Sequence, residues 1–142
     1  MKFKDFLNES AKITVQPKTK DELMKIIEDT IEEQGFNCDL NFIDTSLIKD
    51  MSYMFDESKF KGDISKWDVS HVKDMTCMFF KSDFNGDISK WNVSNVKYMF
   101  SMFYDSEFNG DISQWNVSNV ENMDGMFKHS PLEGNEPDWY KD

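Results

Sequence analysis

The chain is poor in the residues that staple, break or anchor a polypeptide. Of its 142 residues, two are cysteine, three proline and six glycine. Cys38 and Cys77 fall in different phases of the repeat described below, so both are expected as free thiols in a chain that tolerates a reducing compartment. No apolar run is long enough to cross a bilayer, and the start, MKFKDFLNES, lacks the apolar stretch of a signal peptide. The expectation is a soluble, cytoplasmic protein. The two histidines, His71 and His129, have no neighbouring cysteine or second histidine, which indicates neither zinc nor a nucleophile–base pair. A glycine-rich phosphate loop is also missing, and no cluster of acids, bases or nucleophiles stands out, so neither cofactor nor enzyme chemistry is expected.

Positive charge is scarce as well. Acidic residues number 27 against 16 basic, a formal net charge of −11, which argues against bare nucleic acid or anionic membrane as partner. The excess is no acidic tail: residues 1–35 carry 6 Lys and 8 acids (6 − 8 = −2), leaving 10 Lys and 19 acids (10 − 19 = −9) for the rest.

What the chain does have is self-similarity. FNGDISKWNVSNV at 84–96 recurs almost letter for letter at 108–120, and with modest changes at 60–72. Gly62, Gly86 and Gly110 are 24 residues apart, as are Trp67, Trp91 and Trp115. A period of this length marks stacked repeats, with a core that is a continuous column. Other columns align in the same frame: Phe36, Phe60, Phe84 and Phe108; Asp39, Asp63, Asp87 and Asp111; Met54-Phe55, Met78-Phe79, Met102-Phe103 and Met126-Phe127. Four units span 36–131. A worn fifth start at Leu132, Gly134 and Trp139 reads 132–142 as a C-terminal cap.

Upstream, residues 1–12 read as a flexible or targeting leader, and Ile13-Thr14-Val15 as a short strand closed by Gln16-Pro17. Thr19 and Glu22 fit a capping box. Leu23, Ile26, Ile27, Thr30 and Ile31 form one helical stripe, and Gly35 suits the helix end. This helix is expected to cover the N-terminal end of the column.

Within a unit, Trp67 and Val69 alternate with Lys66, Asp68 and Ser70, which predicts a short strand. Val72, Met75, Met78 and Phe79 step at helical spacing, which predicts a short helix or 3₁₀ turn. The fold class so predicted is an α/β repeat solenoid, a leucine-rich-repeat-like right-handed coil with a short parallel strand ribbon and an N-terminal capping helix.

The pattern F-N-G-D-I-S-x-W-[ND]-V-S-N-V-x-x-M-x-x-M-F, running from Phe36 to about Ser130, resembles the repeat of BspA-type leucine-rich-repeat surface proteins. The resemblance implies a non-enzymatic protein-interaction module. Such proteins are often lipid-anchored, and this chain departs from them in showing neither lipobox nor export signal. Separately, Leu7-Asn8-Glu9 in the leader resembles the head-targeting leaders of internal capsid proteins in T-even-type bacteriophages. By position, that resemblance makes Glu9 the residue before a cleavage.

The Asp column supplies one carboxylate per unit where calcium takes six to eight oxygens, so it reads as accepting N–H groups of its own turn. The Met ladder reads as core filler. Asn92 and Asn116 begin glycosylation sequons that the repeat itself generates.

Columns the repeat leaves unconstrained are the candidates for binding. One is a polar strip on the presumed strand face: Phe42, Lys66, Lys90 and Gln114, then Asp44, Asp68, Asn92 and Asn116. The other is aromatic. Phe80 and Tyr104 share a column with Asp56 and Lys128, while Tyr98 and Phe100 stand where other units carry Asp, Asn, Ser or Thr. A protein partner docked on these surfaces is the first expectation, with the chain a monomer or a weak end-to-end oligomer. The alternative is a phage-encoded packaged or early protein that binds a host factor, in one variant as an acidic DNA mimic.

Overall fold

The computed structural model describes residues 15–142. It opens with one helix, α1 (Lys20–Gln34). Thr19 caps it, its hydroxyl accepting from Glu22 N–H at 3.2 Å, while the Glu22 carboxylate reaches past the cap to accept from Lys18 N–H at 2.7 Å. Gly35, with φ +89°, ends it and donates back to the Ile31 carbonyl. Leu23, Ile27 and Thr30 are buried, and the two aliphatic side chains join the same core as Leu40, Met51 and Phe55. Lys20 Nζ ties the helix start to the first unit through Ser52 Oγ at 2.9 Å and the Asp50 carboxylate at 3.7 Å.

The predicted α/β coil with its strand ribbon is overturned. Among the described residues α1 is the one helix, and no strand or sheet forms; parallel pairing is confined to isolated bridges. Val15 bridges Ile43, and Asp39 bridges Asp63. Asp50, Asp74, Tyr98 and Asn122 form a column one residue wide, each bridging the next. The predicted strand at Trp67 and Val69 fails because its N–H groups are spent locally. Trp67 N–H donates to the Ile64 carbonyl, and Val72 N–H to the Val69 carbonyl, each closing a turn.

The predicted helical segment fails for a different reason. From Met75 to Ser82, apart from Thr76 N–H, which the Asp74 carboxylate accepts at 2.8 Å, the N–H groups alternate between two kinds of acceptor. Met78, Phe80 and Ser82 donate three residues back, to Met75, Cys77 and Phe79. Met75, Cys77, Phe79 and Lys81 donate across to the Tyr98, Phe100, Met102 and Tyr104 carbonyls of the next unit, at 2.8–2.9 Å. Cys77 and Lys81 hold φ of +53°, the left-handed region that no α-helix contains. The same run of turns recurs: Met51, Tyr53, Phe55 and Glu57 donate to Asp74, Thr76, Met78 and Phe80, and Met99, Ser101, Phe103 and Asp105 donate to Asn122, Asp124, Met126 and Lys128.

These junctions stack the units on a 24-residue period, and aromatic side chains fill the column between them. Phe55, Phe79, Phe103 and Phe127 lie ring over ring at 5.6, 5.5 and 5.8 Å. Phe60, Phe84 and Phe108 form a second stack at 6.0 and 6.4 Å. The two stacks interlock, with Phe55–Phe60, Phe79–Phe84 and Phe103–Phe108 centroids at 4.8, 4.7 and 4.4 Å. Each tryptophan locks onto the unit before it. Nε1 of Trp67, Trp91, Trp115 and Trp139 donates to the carbonyls of Leu40, Ile64, Ile88 and Ile112, at 2.9–3.1 Å. Trp139 also stacks on Trp115 at 6.3 Å, and Tyr140 meets Phe127 edge-on at 5.0 Å. Phe36 is the exception in its column: it is exposed, although its carbonyl still accepts from Lys61 N–H at 2.8 Å.

Candidate functional site

Most polar positions of a unit are committed to holding it together. Oδ1 of Asp39, Asp63, Asp87 and Asp111 accepts from the N–H two residues on, at Asn41, Ser65, Ser89 and Ser113, at 2.8–3.0 Å. Hydrogen bonds from the neighbouring Asn41, Ser89 and Ser113 side chains, respectively, hold the Asp63, Asp87 and Asp111 carboxyls below the usual carboxylate range. Asn95 and Asn119 donate from Nδ2 to the Ser70 and Ser94 carbonyls of the preceding unit, both at 2.7 Å. Among the described residues no three His, Cys, Asp or Glu side chains are placed to share a metal ion, and no helix is long and apolar enough to cross a membrane. Cys38 and Cys77 are free and buried. Burial pushes the Cys38 thiol up to about 11 and raises that of Cys77.

The polar strip divides. Lys66, Lys90 and Gln114 sit exposed at the tips of the turns that Trp67, Trp91 and Trp115 close. Asp68, Asn92 and Asn116 are exposed too, but each accepts from the N–H of Ser70, Ser94 or Ser118 at 3.0–3.1 Å, so they serve as turn caps. Asp44 does the same for Ser46 at 2.9 Å. Phe42, read as outward, is buried at 5 % exposure and belongs to the core, because no strand forms to alternate it outward.

The aromatic group also separates into two parts. Phe80 and Tyr104 are half-buried and stack at 5.1 Å, with Lys81 Nζ 5.5 Å above the Phe80 ring and His129 edge-on to Tyr104 at 5.4 Å. They cover the run of turns. Tyr98 and Phe100 are each 43 % exposed, and among the described residues their rings touch no other ring. Tyr98 stands in the bridged column where Asp50, Asp74 and Asn122 cap the turn, accepting from Ser52, Thr76 and Asp124 N–H at 2.8–3.0 Å. A tyrosine has no oxygen within reach of that N–H, so the third unit forgoes this bond and displays a ring.

Two exposed apolar side chains went unread in the sequence: Tyr53, 51 % exposed, and Leu47, 45 % exposed. The column comparison that singles out Tyr98 would have found them. Tyr53 stands over Cys77, Ser101 and Gly125, and Leu47 over His71, Asn95 and Asn119. The Cys77 side chain, hydrogen-bonded to the Tyr53 hydroxyl, raises that phenol's pKa. Glu9 lies outside the described residues.

No curated protein and no solved structure matches the chain. A family model does match, over residues 23–139, from the first buried residue of α1 through all four units to Trp139. The chain therefore belongs to the family described as Mycoplasma protein of unknown function, DUF285.

Proposed function

We propose that this chain is a non-enzymatic, BspA-like protein-interaction module that captures a protein partner on the exposed aromatics of its third unit, Tyr98 and Phe100. The observation that carries this reading is the exchange made at Tyr98. Asp and Asn at the equivalent positions each satisfy a turn N–H, and tyrosine gives up that bond to place a ring in water. Large half-exposed aromatic rings are the side chains that dominate binding energy at protein interfaces. The exposed turn tips at Lys66, Lys90 and Gln114 are further candidate contacts for a partner.

The test separates binding from folding. Tyr98→Asn restores the turn cap and is expected to raise stability by about 0.5–1.5 kcal/mol, the usual net worth of one hydrogen bond. Combined with Phe100→Thr, it is expected to abolish retention of whichever cellular protein the unaltered chain captures from lysate. Retention of the same partner by the double variant rejects the site. A drop in stability for Tyr98→Asn rejects the reading of Tyr98 as a sacrificed cap.

A further inference from the structure

The run of turns gives one stretch of each junction a direction. Along it the upstream unit supplies N–H groups from residues two apart and the downstream unit supplies carbonyls. Elsewhere in the junction bonds run the other way, as from Lys97 and Glu121 N–H to the Lys73 and Lys97 carbonyls. On the fourth unit the equivalent donors are Met123, Gly125, Phe127 and His129. Gly125 N–H donates to the Asp142 carboxylate at 3.2 Å, a makeshift acceptor where earlier units use a backbone carbonyl. Among the described residues no acceptor meets the N–H of Met123, Phe127 or His129. Trp139 and Tyr140 cover the tryptophan and phenylalanine side of this end, and Lys141 N–H reaches Met123 Sδ at 3.4 Å, but the tail leaves the rest of the other side only partly covered. Val117, Val120 and Met123 are half-buried there, whereas Val93, Val96 and Met99 one unit earlier are buried. They line a groove whose rim carries the carboxylates of Glu121, Asp124 and Asp142 against the single cation of Lys141.

We propose that this open edge docks an extended, lysine-bearing segment of another protein. The segment lends its backbone carbonyls to Met123, Phe127 and His129 N–H, lays alternate apolar side chains on Val117, Val120 and Met123, and sets its lysines against Glu121 and Asp124. Main-chain pairing supplies affinity, and the acidic rim selects a basic segment over an acidic one. The direction of the edge disfavours a second copy of the chain. Along 123–129 two open edges would bring donors to donors, and α1 already stands at the end whose run of turns bears the carbonyls, with Lys20 on Ser52 and Asp50.

The experiment is an amide chemical-shift titration of the ¹⁵N-labelled protein with two synthetic heptapeptides, one alternating valine and lysine, the other valine and glutamate. The valine–lysine peptide is expected to shift the Met123, Phe127 and His129 amides saturably. Binding is expected to weaken about tenfold in Glu121→Lys/Asp124→Lys, whose exposed side chains leave the fold unchanged. No response at those amides overturns the proposal, as does an equal response to the glutamate peptide. Shifts that map to Tyr98 and Phe100 instead also overturn it. So does a concentration-dependent dimer, detected by sedimentation, that moves the same amides without peptide.

Discussion

Gly86 has no room for a methyl group: a Cβ there would stand 2.7 Å from the Phe84 ring, inside the interlocked aromatic column. Gly86→Ala is expected to destabilise by about 1–3 kcal/mol, measured by denaturant unfolding. The run of turns makes the opposite demand. Asp105 holds φ at +52° with an exposed side chain, as Lys81 does one unit earlier at +53°. Asp105→Gly is expected to relieve up to about 1 kcal/mol of backbone strain and raise the melting temperature. Trp91→Phe keeps a ring in the core but removes one of the two hydrogen bonds to the Ile64 carbonyl, which Trp67 N–H still reaches at 3.1 Å, and is expected to cost about 0.5–1.5 kcal/mol.

At the scale of elements, the capped turns carry a pH dependence. Asp63, Asp87 and Asp111 are joined by Asp68, whose carboxyl the Ser70 hydroxyl holds below the usual range. Carboxyls depressed in the folded chain add stability that is complete above their unfolded pKa of about 4 and is lost as pH falls through the folded value. Asp56, raised by burial, acts in the opposite sense. The melting temperature is therefore expected to hold from neutral pH to about 5 and to fall below about 4. Asp87→Asn with Asp111→Asn, which keep the acceptor oxygen, are expected to flatten that fall. α1, its Thr19 cap, the 24-residue frame, the turn-capping Asp column and the free thiols were legible in the sequence because each leaves a residue-type signature. The run of turns was not. Turns closed three residues apart repeat the spacing of a helix at Val72, Met75 and Met78, and the left-handed residues Cys77, Lys81, Ser101 and Asp105 carry no glycine to mark them. At the site, Tyr98 and Phe100 were found by comparing columns, but Phe42 was misplaced because its outward direction depended on a strand that does not form.

At the scale of the whole molecule, burial is uneven along the stack. Phe79 has ring neighbours on both sides, Phe55 and Phe103, whereas Phe127 meets Phe103 on one side and only the edge-on Tyr140 and tilted Trp139 on the other. Phe79→Ala is expected to cost the full ~3–5 kcal/mol of a buried phenylalanine, and Phe127→Ala measurably less. Hydrogen exchange should grade the same way, with amides of the second and third units slowest and those of 123–142 fastest. Because every junction repeats the same donor–acceptor register, chain length is free to change only in whole steps. Excising residues 75–98 would leave the Met51 donor on the Asp74 carbonyl and hand the Tyr53, Phe55 and Glu57 donors straight to the Phe100, Met102 and Tyr104 carbonyls. Removing a single residue from the same stretch would throw donors against donors and rings against polar caps. A lineage of such proteins can therefore lengthen or shorten by duplicated blocks while its smaller insertions are purged.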